Sequence, residues 1–160
     1  MTLKTGDRIP TETVFEMGKD GPQAFNTDDL FANKTVLMFG LPGAFTPVCS
    51  ENHLPGYVGL ADQIKARGVD EIFCFAVNDA FVMAAWGLGQ NVAGKVRMIG
   101  DGSALLTHKM GLELDRIDGG LGIRCQRFAM VIKNGIAHSL DIEAPGTFND
   151  SSAAAQLIKL

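Results

Sequence analysis

The sequence predicts an α/β fold: a mixed central sheet with helices on both faces and a hairpin added at the N-terminus. Three observations carry that prediction. Thr35 to Phe39 and Ile72 to Val77 are continuous apolar stretches that read as buried strands. Each is followed by a segment with helical patterning, which makes strand–helix–strand units. Downstream, Phe128 to Lys133 and Ile136 to Ile142 flank Asn134-Gly135, the strongest short hairpin signal in a sequence.

The first thirty residues hold short strand-like pieces about Gly21-Pro22, the added hairpin. Thr35 to Phe39 is the first buried strand. After it, Thr46 suits an N-cap and Pro47 the first helical position, where no backbone donor is needed. Helical patterning follows from Tyr57 to Arg67, with Gly68 placed to terminate it. Beyond the strand Ile72 to Val77, Asn78 is expected to cap a helix that runs through Phe81 and Trp86 and dissolves at Gly87-Leu88-Gly89. Val96 to Ile99 reads as a short strand, and Ser103 as the cap of a helix ending near Met110, before Gly111. The C-terminal hairpin is followed by a helical stretch that starts with Ser151-Ser152 and ends at Leu160. Two strand–helix–strand units with right-handed crossovers, then a hairpin and a last helix, give a thioredoxin-like architecture.

Composition limits what such a domain does. At 160 residues the chain fits one domain, 1–160, and no repeat, low-complexity tract or linker divides it. A hydrophobic fraction of 46% with 20% charged residues is ordinary for a globular protein. The net charge of −4 gives no electrostatic reason to expect nucleic acid or an anionic membrane as partner. The start, Met1 to Asp7, lacks the apolar core of a signal peptide, and no apolar run approaches membrane-spanning length. Cys49, Cys74 and Cys125 are too few, and odd in number, for a secreted disulfide framework. A cytoplasmic location with free thiols is expected.

The stretch Pro42-Gly43-Ala44-Phe45-Thr46-Pro47-Val48-Cys49-Ser50 places one of these thiols in the first turn of a helix, directly after a buried strand. Counting from Thr46, Cys49 falls at the third helical position, where unpaired backbone N–H groups and the positive helix end favour a thiolate. The alternative, a buried structural cysteine, does not account for the Thr-Pro-x-Cys helix start. Cys49 and His53 lie four apart on one helical face and could serve as two zinc ligands, but no second pair has metal-like spacing, and His108 and His138 are isolated. His53 is expected on the helix surface or beside the site, with no metal and no cofactor.

Four segments in order resemble one family. They are Phe39-Gly40-Leu41-Pro42-Gly43-Ala44-Phe45-Thr46-Pro47-Val48-Cys49-Ser50, His53-Leu54-Pro55-Gly56-Tyr57, Val77-Asn78-Asp79-Ala80-Phe81-Val82-Met83 and Gly120-Leu121-Gly122-Ile123-Arg124-Cys125-Gln126-Arg127-Phe128-Ala129-Met130. Through nearly its whole length the chain is similar to peroxiredoxins of the type II class, the atypical, peroxiredoxin 5-like group. The resemblance implies an antioxidant thiol peroxidase that reduces hydrogen peroxide and small alkyl hydroperoxides, with Cys49 becoming a sulfenic acid.

The same resemblance assigns Arg124 as the cation beside the sulfur, with Thr46 hydrogen-bonding a peroxide oxygen and Pro42 shielding the sulfenate. The backbone N–H groups of Val48 and Cys49 would hold the peroxide oxygens. Arg127 is a rival to Arg124. Three residues apart on one strand, the two should face opposite sides, which leaves Arg127 to a surface or supporting pair, and alternation sends Cys125 away from the site.

Recycling is the open question. Some relatives carry a C-terminal resolving cysteine where this chain has Ser151 and Ser152. Cys74 is a possible resolving residue by its spacing, as in plant-like type II members, yet it sits mid-strand, and a disulfide needs Cα atoms within about 7 Å. A one-cysteine cycle with glutathione or glutaredoxin as the external thiol is therefore expected, with thioredoxin as second choice. Phe45, Phe81 and Trp86 could supply the isologous homodimer contact that the resemblance implies. Two other functions compete. A thioredoxin-like disulfide oxidoreductase needs a Cys-x-x-Cys pair, and position 52 is Asn52. A peroxide-sensing relay that passes Cys49 oxidation to a partner needs the same reactive thiol.

Overall fold

A computed structural model describes residues 1–160. The N-terminal hairpin is built from β1 (Thr13–Gly18) and β2 (Gly21–Asn26), followed by the short helix α1 (Thr27–Leu30). Strand β3 (Thr35–Gly40) leads through a π-helical turn, Cys49–His53, into α2 (Leu54–Ala66). Strand β4 (Glu71–Ala76), α3 (Ala80–Gly89), β5 (Arg97–Gly100) and α4 (Leu105–Met110) complete the parallel units. Then come β6 (Glu113–Arg116), a turn of 3-10 helix, β7 (Gly122–Cys125), β8 (Phe128–Lys133), β9 (Ile136–Ile142) and α5 (Ala153–Lys159).

Seven strands form one sheet in the order β2-β1-β5-β4-β3-β8-β9. Strands β3, β4 and β5 are parallel neighbours, and β8 and β1 join antiparallel on either side. Alternation along the central strands separates two cores. Leu37 and Phe39 of β3 and Ile72 and Cys74 of β4 face α2, α3 and α5, where Leu54, Tyr57, Ile64, Met83 and Trp86 are buried. Val36, Met38, Phe73 and Phe75 face the other way, onto Leu30, Phe31, Leu106 and Met110. Helices thus cover both faces of the mixed sheet, in the thioredoxin-like arrangement that the sequence predicts. The β8–β9 turn has positive φ at Asn134 (48°) and Gly135 (77°), the geometry that selects Asn-Gly there.

Two local expectations are corrected. Asp79, not Asn78, caps α3 by accepting the Val82 N–H at 2.8 Å, and Asn78 instead reaches back to the loop after β3. Ser103 does not cap α4. The buried Asp101 carboxylate accepts the N–H groups of Leu106 (3.3 Å) and Thr107 (2.8 Å), and the left-handed Ala104 starts the helix. The two-stranded sheet β6–β7 has no counterpart in the sequence reading, because Gly120 and Gly122, both at positive φ, interrupt the apolar pattern on which a strand reading depends. That small sheet decides which arginine reaches the sulfur.

Candidate active site

Strand β3 ends at Gly40 under the ring of Phe128, and the chain turns through Leu41 to Thr46 before becoming helical at Pro47. Two contacts fix the turn. The Ala44 N–H donates to Asn78 Oδ1 at 2.9 Å, and the Thr46 hydroxyl donates to the Gly43 carbonyl at 2.7 Å. The first helical bond runs from the Ser50 N–H to the Thr46 carbonyl, so the N–H groups of Val48 and Cys49 precede the helical ladder. The turn then widens to π geometry, with the Leu54 N–H returning to the Cys49 carbonyl. Helix α3 braces the widened turn: Trp86 Nε1 donates to Ser50 Oγ and Gln90 Nε2 to the Ser50 carbonyl, each at 3.1 Å. π turns of this kind commonly occur at functional sites. Cys49 is fully buried within it.

The guanidinium on the Cys49 sulfur belongs to Arg127, whose Nη2 donates to Sγ at 3.3 Å. Arg124, expected to be that cation, is instead spent on the loop before the cysteine. Its Nε donates to the Leu121 carbonyl (2.8 Å) and its Nη1 to the Pro42 carbonyl (3.2 Å). The alternation rule does not apply because the two arginines are not on one strand. Arg124 lies in β7, paired with Leu114 of β6, whereas Arg127 lies in the irregular link before β8. Arg124 passes directly over Gly43, and a Cβ there would run into its Nη1.

His53 is not on the helix surface. It is fully buried between Phe39, Tyr57 and Phe148, with ring centroids 4.9, 5.7 and 4.9 Å away. Nδ1 lies 2.8 Å from Arg127 Nη1 and Nε2 lies 3.1 Å from the Ser151 carbonyl. A guanidinium can only donate, so Nδ1 accepts and Nε2 carries the proton. Burial and then the charge of Arg127 push the imidazole pKa down to about 3, against which the bond to Ser151 and the charge of Glu143 act weakly. His53 is neutral, in a single tautomer. Its spacing from Cys49 was the signal of a shared site, but what joins the two is a guanidinium.

A cavity of about 140 Å³ opens beside these residues, lined by Pro42, Val48, Arg127, Glu143 and Phe148 among others. Pro42 and Val48 are on its wall, whereas Thr46 and Cys49 are not among the residues that line it. Arg127 spans the two regions, lining the cavity and touching the sulfur. The hydroxyl proton of Thr46 is committed to Gly43, so its oxygen presents only lone pairs. Phe148 lies against the Arg127 guanidinium, 5.7 Å from its centre.

The remaining thiols are buried. Cys74 is buried in β4 on the same side of the sheet as Cys49, and burial, then the neighbouring Cys49, push its thiol pKa well up. Cys125 faces the opposite core, donates to the carbonyls of Leu41 (3.3 Å) and Gln126 (3.2 Å), and is also pushed up by burial. All three cysteines are free. No helix is long and apolar enough to cross a membrane.

Fold and site together define a class, the thioredoxin-like proteins whose chemistry runs through one cysteine at a helix start. Residues 4–157 match the redoxin family model. The chain is 45% identical over 152 residues to peroxiredoxin-2C of Arabidopsis thaliana, covering 94% of each. Reduced Prx3 of Vibrio vulnificus, solved in complex with hydrogen peroxide, superposes with a TM-score of 0.95 at 47% identity over 99% of both chains. Peroxiredoxin 5 of Alvinella pompejana superposes with a TM-score of 0.86 at 35% identity, over 98% of this chain and 96% of that one. The chain belongs to the redoxin family and, within it, to the type II peroxiredoxins. It is a thiol peroxidase, with a peroxide as substrate and a thiol as reductant.

Proposed function

We propose that Cys49 reduces hydrogen peroxide and small alkyl hydroperoxides and is returned to the thiolate by glutathione or a glutaredoxin. The contact of Arg127 Nη2 with Cys49 Sγ, with Arg127 also lining a cavity of about 140 Å³, is the observation that carries this reading. Arg127 supplies fixed positive charge beside the attacking sulfur and where the leaving oxygen develops its own charge. The thiolate attacks one peroxide oxygen, the O–O bond breaks, and the other oxygen leaves as hydroxide or alkoxide and takes up a proton. The sulfur loses two electrons and becomes a sulfenic acid. Thr46 accepts the peroxide O–H and Val48 and Cys49 offer backbone N–H groups, while Pro42 keeps water from the sulfenate. The Vibrio relative, solved with hydrogen peroxide, supports that substrate.

Recycling then falls to an outside thiol. A glutathione thiolate attacks the sulfenic sulfur, the S–O bond breaks and hydroxide leaves, taking up a solvent proton to become water, and a mixed disulfide forms. A second thiol releases Cys49 and yields glutathione disulfide. Cys74 is held as a thiol in the core and Cys125 faces the other side of the sheet, which supports a cycle without an internal partner.

The exposed rings of Phe45 (64%) and Phe81 (65%) flank this face and fit an isologous homodimer contact, whereas Trp86 is buried and bonded to Ser50. Light scattering on the parent and on Phe81→Glu tests the dimer: a monomeric parent would reject it. Stopped-flow oxidation by hydrogen peroxide tests the site: it must run far faster than a free thiolate reacts and vanish in Cys49→Ser. A rate no faster than a free thiolate's would reject the assignment.

A further inference from the structure

A line of buried polar contacts leads away from the sulfur to residues that the peroxide chemistry leaves unused. Glu143 directly follows β9 and is only 7% exposed. Its Oε1 accepts from the Asn149 N–H (2.7 Å), the Ser151 N–H (2.8 Å) and the Ser151 hydroxyl (2.9 Å). Its Oε2 accepts from the Thr147 hydroxyl at 3.1 Å. One carboxylate thus folds the segment 144–151 back on itself. The Ser151 carbonyl is turned inward, where it accepts from His53 Nε2 (3.1 Å) and from the Tyr57 hydroxyl (2.7 Å). The other face of the same imidazole receives Arg127, which in turn holds Cys49.

We propose that Glu143 is a positioning residue for peroxide reduction, acting through the Ser151 carbonyl and the His53 ring to aim Arg127 at Cys49. The inference rests on the reading of Cys49 and Arg127 given above. Its physical core is the tautomer. An imidazole whose Nε2 proton is committed to a carbonyl must present a bare Nδ1, and a guanidinium needs such an acceptor to be held. Without the carbonyl the ring can carry its proton on Nδ1, which would set two donors against each other and turn Arg127 off the sulfur. Phe148, part of the same folded segment, closes the far side of both the imidazole and the guanidinium.

The test is a mutant cycle on the full chain, read as the second-order rate of Cys49 oxidation by hydrogen peroxide. Glu143→Ala is expected to slow it about tenfold or more, the scale of loss that follows a small misplacement of a catalytic group. Glu143→Gln keeps an acceptor oxygen for Ser151 and a donor for Thr147 and is expected to stay within about threefold of the parent. Arg127→Gln slows the reaction on its own, and Glu143→Ala added to it brings no further loss, because the two act in series. In the imidazole ¹⁵N spectrum, the parent shows His53 protonated on Nε2, and Glu143→Ala shows Nδ1 protonation or exchange between tautomers. A parent-like rate in Glu143→Ala overturns the proposal, as do losses that multiply in the double variant. If Glu143→Ala does not fold, an Nδ1–H tautomer in the parent overturns it equally. An unchanged rate in Arg127→Gln would instead reject the underlying assignment of the site.

Discussion

Arg127 divides its guanidinium between two acceptors, Cys49 Sγ through Nη2 at 3.3 Å and His53 Nδ1 through Nη1 at 2.8 Å. One planar fork therefore couples the sulfur to a neutral imidazole, and each acceptor fixes the direction of the other's bond. The guanidinium on the sulfur is itself held by a ring from the same π-helical turn, so cysteine and histidine meet one cation.

Substituting the two arginines separates their roles. Arg127→Gln is expected to slow peroxide oxidation of Cys49 by about 10²–10³-fold, the loss that follows removal of one preorganised donor to a developing charge. Arg124→Gln leaves the sulfur contact intact and loosens only the Pro42 and Leu121 carbonyls, so a loss below about tenfold is expected. Stopped-flow traces of both variants against hydrogen peroxide check the ordering. A larger loss in Arg124→Gln would return the cation to that residue.

Stability should fall on acidification below neutrality, with His53 as a main cause. Its folded pKa of about 3 lies below the ordinary 6.5, so the unfolded chain takes up a proton that the folded state refuses. Stability is therefore greatest above about pH 6.5 and is lost as pH falls toward 3, with a slope of up to ~1.4 kcal/mol per pH unit from this one group. Glu143 acts in the same direction at lower pH: burial opposes its charge, but the N–H groups of Ser151 and Asn149 outweigh that and hold its pKa below 4.5. Asp101, raised chiefly by burial, has the opposite sign. Urea unfolding at pH 7, 6, 5 and 4 checks this, and His53→Gln should flatten the curve between pH 6.5 and 5.

Much of this site is legible in local sequence, and what is not depends on long-range placement. The Thr46-Pro47 helix start announces Cys49, although the Thr46 hydroxyl makes no cap bond and donates to the Gly43 carbonyl instead, and Asn134-Gly135 announces the last hairpin to the residue, because a type I′ turn is satisfied within a few neighbours. The resemblance assigns the sulfur to Arg124 and strand alternation then excludes Arg127, but alternation fails here because Arg124 lies in β7 of the small sheet and Arg127 in the link before β8. The break lies at Gln126, whose N–H bonds the Leu112 carbonyl, a tertiary contact without local signature. Glu143 and the Ser151 carbonyl were invisible for a related reason. Their importance lies in which backbone groups a folded loop turns inward, and residue type does not encode that.

Gly43 owes its identity to Arg124. An added Cβ would meet Nη1, the far end of a flexible side chain, so the arginine should swing aside while the backbone stays in place. Gly43→Ala is expected to cost about 1 kcal/mol, the value of the Arg124–Pro42 bond. Arg124→Ala, which gives up the Leu121 carbonyl as well, should cost more, and Gly43→Ala added to it should bring no further loss. Chemical denaturation of the three variants measures the cycle, and additive losses would show that Gly43 is required for some other reason.

The one-cysteine cycle makes a prediction that depends on how the other two thiols are buried. Cys74 has no polar partner in β4, so Cys74→Ser would bury an unpaired hydroxyl at a cost of about 1–3 kcal/mol. In Cys125→Ser the new hydroxyl inherits the carbonyls of Leu41 and Gln126, and the cost should be smaller. Cys74→Ala avoids the polarity problem and is the cleaner probe of function. The variant Cys74→Ala with Cys125→Ser is expected to turn over hydrogen peroxide with glutathione and glutaredoxin at about the parent rate, through a Cys49–glutathione adduct visible by mass spectrometry. If turnover is lost in that variant and the oxidised parent shows a Cys49–Cys74 disulfide, then β4 must open during the cycle and Cys74 resolves the sulfenic acid. A retained rate with the adduct on Cys49 leaves the reacting sulfur dependent on a thiol from outside.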